Sequence, residues 1–75
     1  MEEILEILSE LHPDVDFETQ QGLVDSRILD SLDIVTLISE IDDRLDVTIP
    51  AEEIIPENFN SAKAISDLVR RLDED

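Results

Sequence analysis

The chain of 75 residues is long enough for one domain with a small core, and without cysteine it has neither a disulfide nor a thiolate metal site. Its 21 acidic and 5 basic residues give a formal net charge of -16, which excludes the phosphate neutralisation by Lys and Arg on which nucleic-acid binding depends. Hydrophobic residues make up 41% of the chain but occur mostly in pairs, which excludes a membrane span.

Apolar periodicity predicts a first helix over residues 2–11. Pro13 ends this helix, because a proline restricts the backbone of the residue before it. We interpret His12, between the helix and the proline, as a structural imidazole at the negative helix end rather than as a base. Roughly eighteen residues without clear periodicity follow, a length typical of a pinned or functional loop. The residues that would pin this loop to the core are Val15, Phe17, Leu23, Val24, Ile28 and Leu29.

The most regular apolar pattern predicts a second helix, about four turns long, over residues 31–45. Asp30 suits the N-cap, and Asp33 places a second carboxylate near the unpaired N–H groups of the first turn. Ser31 therefore lies at a helix N-terminus, where a phosphate ester on its hydroxyl would meet exposed N–H groups. A serine that only begins or caps a helix is the ordinary alternative.

A short third helix is predicted over residues 51–55. Residues 47–49 lead into it as an extended link, because two β-branched residues precede Pro50, which suits the first position of a helix. Pro56 is expected to close this helix, since a proline cannot continue the helical hydrogen bonding.

The fourth helix is predicted over residues 61–72, with either Asn60 or Ser61 as its N-cap. The prediction is therefore three longer helices and one short helix, with a long first loop. This pattern favours an all-α fold, a small four-helix bundle that forms a single domain over residues 1–75. Because no signal peptide is recognisable, we also expect a monomeric, cytoplasmic protein that is not inserted in a membrane.

Three motifs together resemble the acyl carrier proteins, small four-helix bundles that carry thioesters. They are Asp30-Ser31-Leu32 at the start of the second helix, the run over residues 33–38, and the sequence Val-Thr-Ile-Pro at residues 47–50. The resemblance covers nearly the whole chain. It implies that Ser31 is the attachment point of a covalent 4'-phosphopantetheine arm, with Asp30 and Leu32 beside it in the cofactor-binding site.

The same resemblance implies what acts on the carrier. A phosphopantetheinyl transferase would install the arm from coenzyme A, an acyl- or aminoacyl-activating ligase would load it, and an acyltransferase or synthase would take the cargo. The carrier would be a substrate of these enzymes and not an enzyme, and its sequence offers no catalytic residue and no metal site. Partner recognition is expected on the exposed side of the second helix. The predicted recognition residues are Asp33, Val35, Thr36, Ser39, Glu40 and Asp43.

The subtype is indicated by residues 27–31, Arg-Ile-Leu-Asp-Ser. This segment lacks the Gly-Ala before Asp-Ser that marks the common fatty-acid carriers and is similar to Gly-Leu-Leu-Asp-Ser. It therefore favours a D-alanyl carrier or another specialised stand-alone carrier. A carrier of fatty-acid synthesis stays an alternative, because residues 33–35 and 47–50 are also found in that group.

Two other classes of protein match parts of the sequence. One is an acidic helical protein-interaction domain that is never modified, and the sequence leaves it open. The other is a calcium-binding module, because acidic residues alternate from Asp14 onward. The calcium loop fails, since Thr19 stands where its sixth-position glycine is needed and Asp25 where a bidentate glutamate is needed.

The core could also contain a cavity that accepts an acyl chain. Candidate lining residues would be apolar side chains of the later helices, although ordinary bundle packing is the favoured interpretation. The candidates are Val35, Ile38, Ile54, Phe59 and Ile65.

Repulsion among the carboxylates should make the fold sensitive to ionic strength. We expect added salt or a divalent cation to raise the melting temperature, because ions screen like charges. Thermal unfolding at several salt concentrations, followed by circular dichroism, measures this effect. A melting temperature indifferent to ionic strength would contradict it.

Overall fold

The computed structural model describes residues 2–74. It contains α1 (Glu2–Leu11), α2 (Ser31–Leu45), a 3₁₀ turn (Ala51–Glu53), α3 (Pro56–Phe59) and α4 (Ala62–Glu74). Over this part of the chain every regular element is helical, and the predicted all-α fold, with three longer helices and one short one, is confirmed. No helix in it has the length and apolar character needed to cross a membrane.

The third helical segment differs from the prediction. The helix expected over residues 51–55 is a three-residue 3₁₀ turn, after which Ile54 leaves the helical region and Ile55 is extended, with φ −126° and ψ 152°. Pro56 does not close a helix but opens α3 at its first position, where its missing N–H has no role in helical bonding. The proline keeps Ile55 out of the helical region, and so it separates the 3₁₀ turn from α3.

Ser61, and not Asn60, caps α4. The Ala64 N–H donates to the Ser61 hydroxyl oxygen at 3.0 Å, and the Ile65 N–H donates to the Ser61 carbonyl oxygen at 3.1 Å. These two bonds satisfy N–H groups that the first turn of a helix leaves without partners. The helix then extends to Glu74, two residues past the predicted end at residue 72.

Asn60 instead fastens the long first loop. Its side-chain oxygen accepts from the N–H groups of Val24 at 2.9 Å and Asp25 at 3.2 Å, and its carbonyl oxygen accepts from the Leu23 N–H at 2.8 Å. One residue between α3 and α4 thus holds three consecutive residues of the loop. This attachment fixes the loop a few residues before α2 begins.

The core lies between α1, α2 and α4, and the first loop contributes to it. Leu23 and Leu29 of the loop are fully buried, so apolar packing holds the loop in addition to the hydrogen bonds of Asn60. Because side chains from all these segments pack together, the loop belongs to the folded unit and is not free chain. The largest fully buried side chains are Ile7, Leu8, Leu23, Leu29, Leu37, Ile41, Phe59, Ile65 and Leu68.

The five candidate cavity-lining residues do not share one environment. Phe59 and Ile65 are fully buried, and Ile38 packs against the core while partly exposed. Val35 is 61% exposed and Ile54 is 42% exposed. Val35 and Ile54 therefore belong to the surface, and the five candidates do not line one interior space.

We expect Asn60→Ala to lower the free energy of unfolding by about 1–3 kcal/mol, because N–H groups of the loop lose their acceptor. Urea unfolding measures the change. Gln20→Ala is the matched control, since the Gln20 side-chain amide makes only an exposed bond to the neighbouring Gln21 carbonyl. Equal stability of the two variants would contradict an anchoring role for Asn60.

Candidate functional site

Ser31 is the first residue of α2, and its side chain is exposed. Asp30 precedes it as the N-cap in an extended conformation, with φ −96° and ψ −178°. The N–H groups at the first positions of a helix have no intrahelical acceptor, so they face outward where Ser31 stands. A phosphate ester on the Ser31 hydroxyl would therefore have room and hydrogen-bond donors.

The first turn of α2 is fixed by a reciprocal pair of carboxylates, which we call the capping box. The Asp33 N–H donates to Asp30 Oδ1 at 2.9 Å, and the Asp30 N–H donates to Asp33 Oδ2 at 3.3 Å. The Ile34 N–H donates to the Asp30 carbonyl oxygen at 3.0 Å and begins the regular helical bonding. A capping box of this kind sets the starting residue of a helix. It therefore sets the position of Ser31.

His12 also reaches this turn. Its Nε2 lies 2.9 Å from Asp33 Oδ2, and since an ionised carboxylate only accepts hydrogen bonds, Nε2 is the donor. The side chains of His12 and Asp33 are 30% and 23% exposed. The centroids of the His12 and Phe17 rings are 6.5 Å apart. The backbone N–H of His12 donates to the Leu8 carbonyl oxygen. The imidazole therefore joins the end of α1 to the start of α2.

The pKa of the Asp33 carboxyl lies below its ordinary value. Partial burial acts to raise this pKa, but the hydrogen bonds from His12 and Asp30 and the positive charge of the imidazole outweigh the burial. The Asp33 carboxylate is therefore held in the charged form that the capping box uses.

Two exposed apolar side chains of α2, Leu32 and Val35, lie shortly after Ser31 and three residues apart on one side of the helix, and we call them the apolar patch. Leu32 is 74% exposed and Val35 is 61% exposed, both in the first half of α2. Ile54 at 42% and Ile55 at 40% lie in the link between the 3₁₀ turn and α3. Exposed apolar clusters of this kind often mark interaction sites. Leu32 and Val35 are among the predicted site residues, whereas the exposure of Ile54 and Ile55 was not predicted, because both were expected to lie in a helix.

The polar residues predicted to recognise partners are not equally available. Thr36, Ser39 and Asp43 are exposed, although the Thr36 hydroxyl donates to the Leu32 carbonyl oxygen at 3.0 Å. Glu40 accepts a hydrogen bond from Arg44 Nε at 2.8 Å. The charge of Glu40 is thus partly neutralised within the chain.

The other two guanidinium nitrogens of Arg44 form hydrogen bonds with α1. Its Nη1 and Nη2 donate to the two carboxylate oxygens of Glu10 at 2.9 and 2.7 Å. The hydrogen bond from Arg44 is the main reason that the pKa of Glu10 is lowered. Arg44 therefore links α1 to α2 by a bidentate ion pair.

The acidic end of α2 forms a shallow polar depression, lined by Ser39, Glu40, Asp42, Asp43 and Asp46. Within residues 2–74 no group of three or more His, Asp or Glu side chains is arranged to hold a metal ion. Four of its five lining residues are carboxylic acids, so this depression is a surface of negative charge.

The turn that leads into α2 contains a left-handed residue. Arg27 has φ 61°, a conformation that glycine adopts without the steric cost that other residues meet. It stands at the first position of the segment that resembles Gly-Leu-Leu-Asp-Ser, where the related motif has glycine. At Arg27 the backbone therefore has a conformation that a glycine in this position would adopt without strain.

The comparisons with known proteins show the family. The family model described as "Phosphopantetheine attachment site" matches residues 1–72, and the chain belongs to this family. The D-alanyl carrier proteins of Streptococcus sanguinis (strain SK36) and Streptococcus thermophilus (strain ATCC BAA-491 / LMD-9) are each 35% identical to it over 71 residues. Each of these alignments covers 93% of this chain and 90% of the relative.

A solved structure shows the same fold. It is a chain in the crystal structure of Bradyrhizobium japonicum glycine:[carrier protein] ligase complexed with glycylated carrier protein. The match has a TM-score of 0.65 and 35% identity, and it covers 91% of this chain and 90% of that one. The resemblance to carrier proteins is confirmed. This chain is a carrier protein whose prosthetic group is a covalently attached 4'-phosphopantetheine.

The lowered pKa of Asp33 predicts how the capping box depends on pH. A carboxyl whose pKa is lower in the folded state stabilises the fold above its unfolded pKa of about 3.9, and this contribution is lost as the pH falls through the folded value. We therefore expect Asp33→Asn to reduce the free energy of unfolding more at pH 7 than at pH ~3.

Chemical unfolding at the two pH values measures this difference. Asp43→Asn, on the exposed part of the same helix, removes the same charge without touching the capping box and serves as the control. An Asp33→Asn effect of the same size at both pH values would show that its ionised form does not stabilise α2.

Proposed function

We propose that Ser31 is the attachment point of the 4'-phosphopantetheine arm and that this carrier presents an amino acid, rather than a fatty acyl chain, to its partners. The observation that carries the attachment site is the position of Ser31, exposed at the first residue of a helix whose start is fixed by the capping box. Asp30 and Leu32 flank it and are the adjacent surface for the enzyme that installs the arm.

The attachment is a transfer from coenzyme A to serine. The Ser31 hydroxyl oxygen bonds to the phosphorus on the pantetheine side of the pyrophosphate, and the bond from that phosphorus to the bridging oxygen breaks. Adenosine 3',5'-bisphosphate leaves, and a base of the transferase takes the hydroxyl proton. The chain contributes an oriented hydroxyl, and the outward N–H groups of the first turn favour the added anion. The arm supplies a terminal thiol that holds the cargo as a thioester.

The amino-acid cargo is supported by two independent comparisons. The streptococcal relatives are D-alanyl carrier proteins, and the structural neighbour is a glycylated carrier seen with a glycine ligase. Alanine and glycine are both small amino acids, so we propose a small amino acid, activated by a ligase, as the cargo. A carrier of fatty-acid synthesis is the alternative in the same family, and an unmodified interaction domain is the alternative in another class.

The surface that partners would use combines the apolar patch and the acidic side of α2. Leu32 and Val35 lie next to Ser31, and Asp33 and Asp43 add negative charge along the same helix. The apolar patch would provide affinity, and the carboxylates would speed association with basic surfaces. Thr36, Ser39 and Glu40 complete the proposed recognition surface.

The partners would be a phosphopantetheinyl transferase, an amino-acid-activating ligase and an acyltransferase or synthase that removes the cargo. For these enzymes the carrier is a substrate that delivers a tethered group at high effective concentration, and it performs no catalysis itself. We place this activity in the cytoplasm, where a reducing environment keeps the terminal thiol free.

Intact mass measures the proposed modification. Wild-type protein incubated with coenzyme A, magnesium and a broad-specificity phosphopantetheinyl transferase should gain the mass of one phosphopantetheinyl group, and Ser31→Ala should gain none. Ser9→Ala, which removes an exposed hydroxyl from α1, is the matched control and should be modified like the wild type. A wild-type protein that stays unmodified while well folded would favour the interaction domain.

The cargo is then tested on the modified protein. Incubation with ATP, a glycine- or D-alanine-activating ligase and the matching amino acid should add one aminoacyl mass that hydroxylamine removes, because hydroxylamine cleaves thioesters. An acyl–carrier ligase with a long-chain fatty acid is the comparison. Loading with the fatty acid alone would favour the carrier of fatty-acid synthesis.

A further inference from the structure

We propose that His12 is a positioning residue for the transfer of phosphopantetheine to Ser31, acting through Asp33 and the capping box. The inference rests on the proposed attachment site. It assigns a role in the modification reaction to a residue that lies outside α2 and is 19 positions away from Ser31 in the sequence.

The connection consists of three consecutive contacts. His12 Nε2 donates to Asp33 Oδ2 at 2.9 Å, and the same oxygen accepts from the Asp30 N–H at 3.3 Å. The Asp33 N–H in turn donates to Asp30 Oδ1 at 2.9 Å. Asp30 is bonded covalently to Ser31. The bond from His12 is thus the shorter of the two made to Asp33 Oδ2, and it orients the carboxylate that closes the capping box.

His12 is itself held in place, which a positioning residue requires. The backbone N–H of His12 donates to the Leu8 carbonyl oxygen at 2.9 Å, which continues the hydrogen bonding of α1 by one residue. Its ring lies at a tilted angle of 49° to Phe17, which is buried. The imidazole is therefore held by α1 and by the first loop, and through its bond to Asp33 it fixes the first turn of α2 relative to both.

The packing of α1 on α2 does not depend on this bond. Buried side chains of both helices, such as Leu8 and Leu37, lie in one core, and the ion pair of Arg44 with Glu10 links the same two helices. Loss of the His12 bond should therefore leave the bundle folded while it loosens the first turn of α2. The Ser31 hydroxyl would then spend less time in the orientation that reacts.

Orientation of Ser31 and docking of the transferase are therefore expected to affect two different kinetic quantities. The maximal rate of transfer depends on how Ser31 is oriented, whereas the enzyme concentration at half-saturation depends on the surface that docks. Of the proposed recognition residues only Asp33 contacts His12, and the Asp33 carboxylate keeps its charge and its place on α2 when that bond is lost. We therefore expect removal of the His12 donor to lower the maximal rate and leave half-saturation unchanged.

The experiment compares His12→Gln with His12→Asn. The glutamine amide nitrogen corresponds in position to Nε2 and can still donate to Asp33, whereas the asparagine nitrogen corresponds to Nδ1 and falls short. Single-turnover transfer is measured by intact mass, with saturating coenzyme A and a varied excess of transferase, well below the melting temperature of every variant. Glu10→Ala is the control, because it breaks a second polar link between α1 and α2.

We expect His12→Asn to lower the maximal rate about three- to tenfold, the size expected from the loss of one ordinary, partly exposed hydrogen bond, with half-saturation unchanged. His12→Gln should restore the rate to near that of the wild type, and Glu10→Ala should not reduce it. Circular dichroism checks that each variant is folded, and His12→Ala replaces His12→Asn in the comparison if that variant is unfolded.

Three results would overturn the inference. A maximal rate for His12→Asn equal to that of the wild type shows that the bond does not orient Ser31. An equal loss in His12→Asn, His12→Gln and Glu10→Ala shows that helix packing alone matters. A wild-type protein that accepts no phosphopantetheine overturns the attachment site and the role of His12 together, which distinguishes this failure from the first two.

Discussion

The reciprocal hydrogen bonds between Asp30 and Asp33 are the constraint on which the site depends. They decide that α2 begins at Ser31, and a start one residue earlier or later would turn the serine away from the exposed end of the helix. The rest of the fold holds this turn from two directions. Asn60 and the buried Leu29 fix the loop that arrives at it, and α1 reaches it through His12.

Most of the carboxylates are not needed for the stability of the fold, because only a few of them form ion pairs. Of the few basic residues, Arg44 pairs with Glu10 and Glu40, and Arg71 pairs with Glu53. Exposed ion pairs of this kind contribute little to stability, so the fold rests on its buried aliphatic core. Pairing at Glu40 also leaves the outer carboxylates of α2, such as Asp43, as the more available negative charges. The exposed side of α2 thus carries the apolar patch close to Ser31 and carboxylates farther along the helix.

The sequence was sufficient where local signals determine structure. The cap at Asp30 and the apolar periodicity after it predict α2 at residues 31–45, where the structure has it, and the restriction before Pro13 predicts the end of α1. Pro56 was misread because a proline suits both the end of one helix and the start of another. The contacts made by His12 and Asn60 span 21 and 36 residues, and local patterns carry no information on such pairs.

The proposed cargo is consistent with the way the hydrophobic residues are divided. An amino acid on a thioester keeps a charged amino group, and burying a charge without a partner is costly, so such a cargo gains nothing from an apolar interior. Phe59 and Ile65 pack fully inside the bundle, whereas Val35 and Ile54 stay at the surface. On the proposed assignment, these exposed residues contact the partner enzyme and not the cargo. Selection of the amino acid would then reside in the ligase, and the carrier would contribute a fixed, accessible Ser31 and a surface that the ligase recognises.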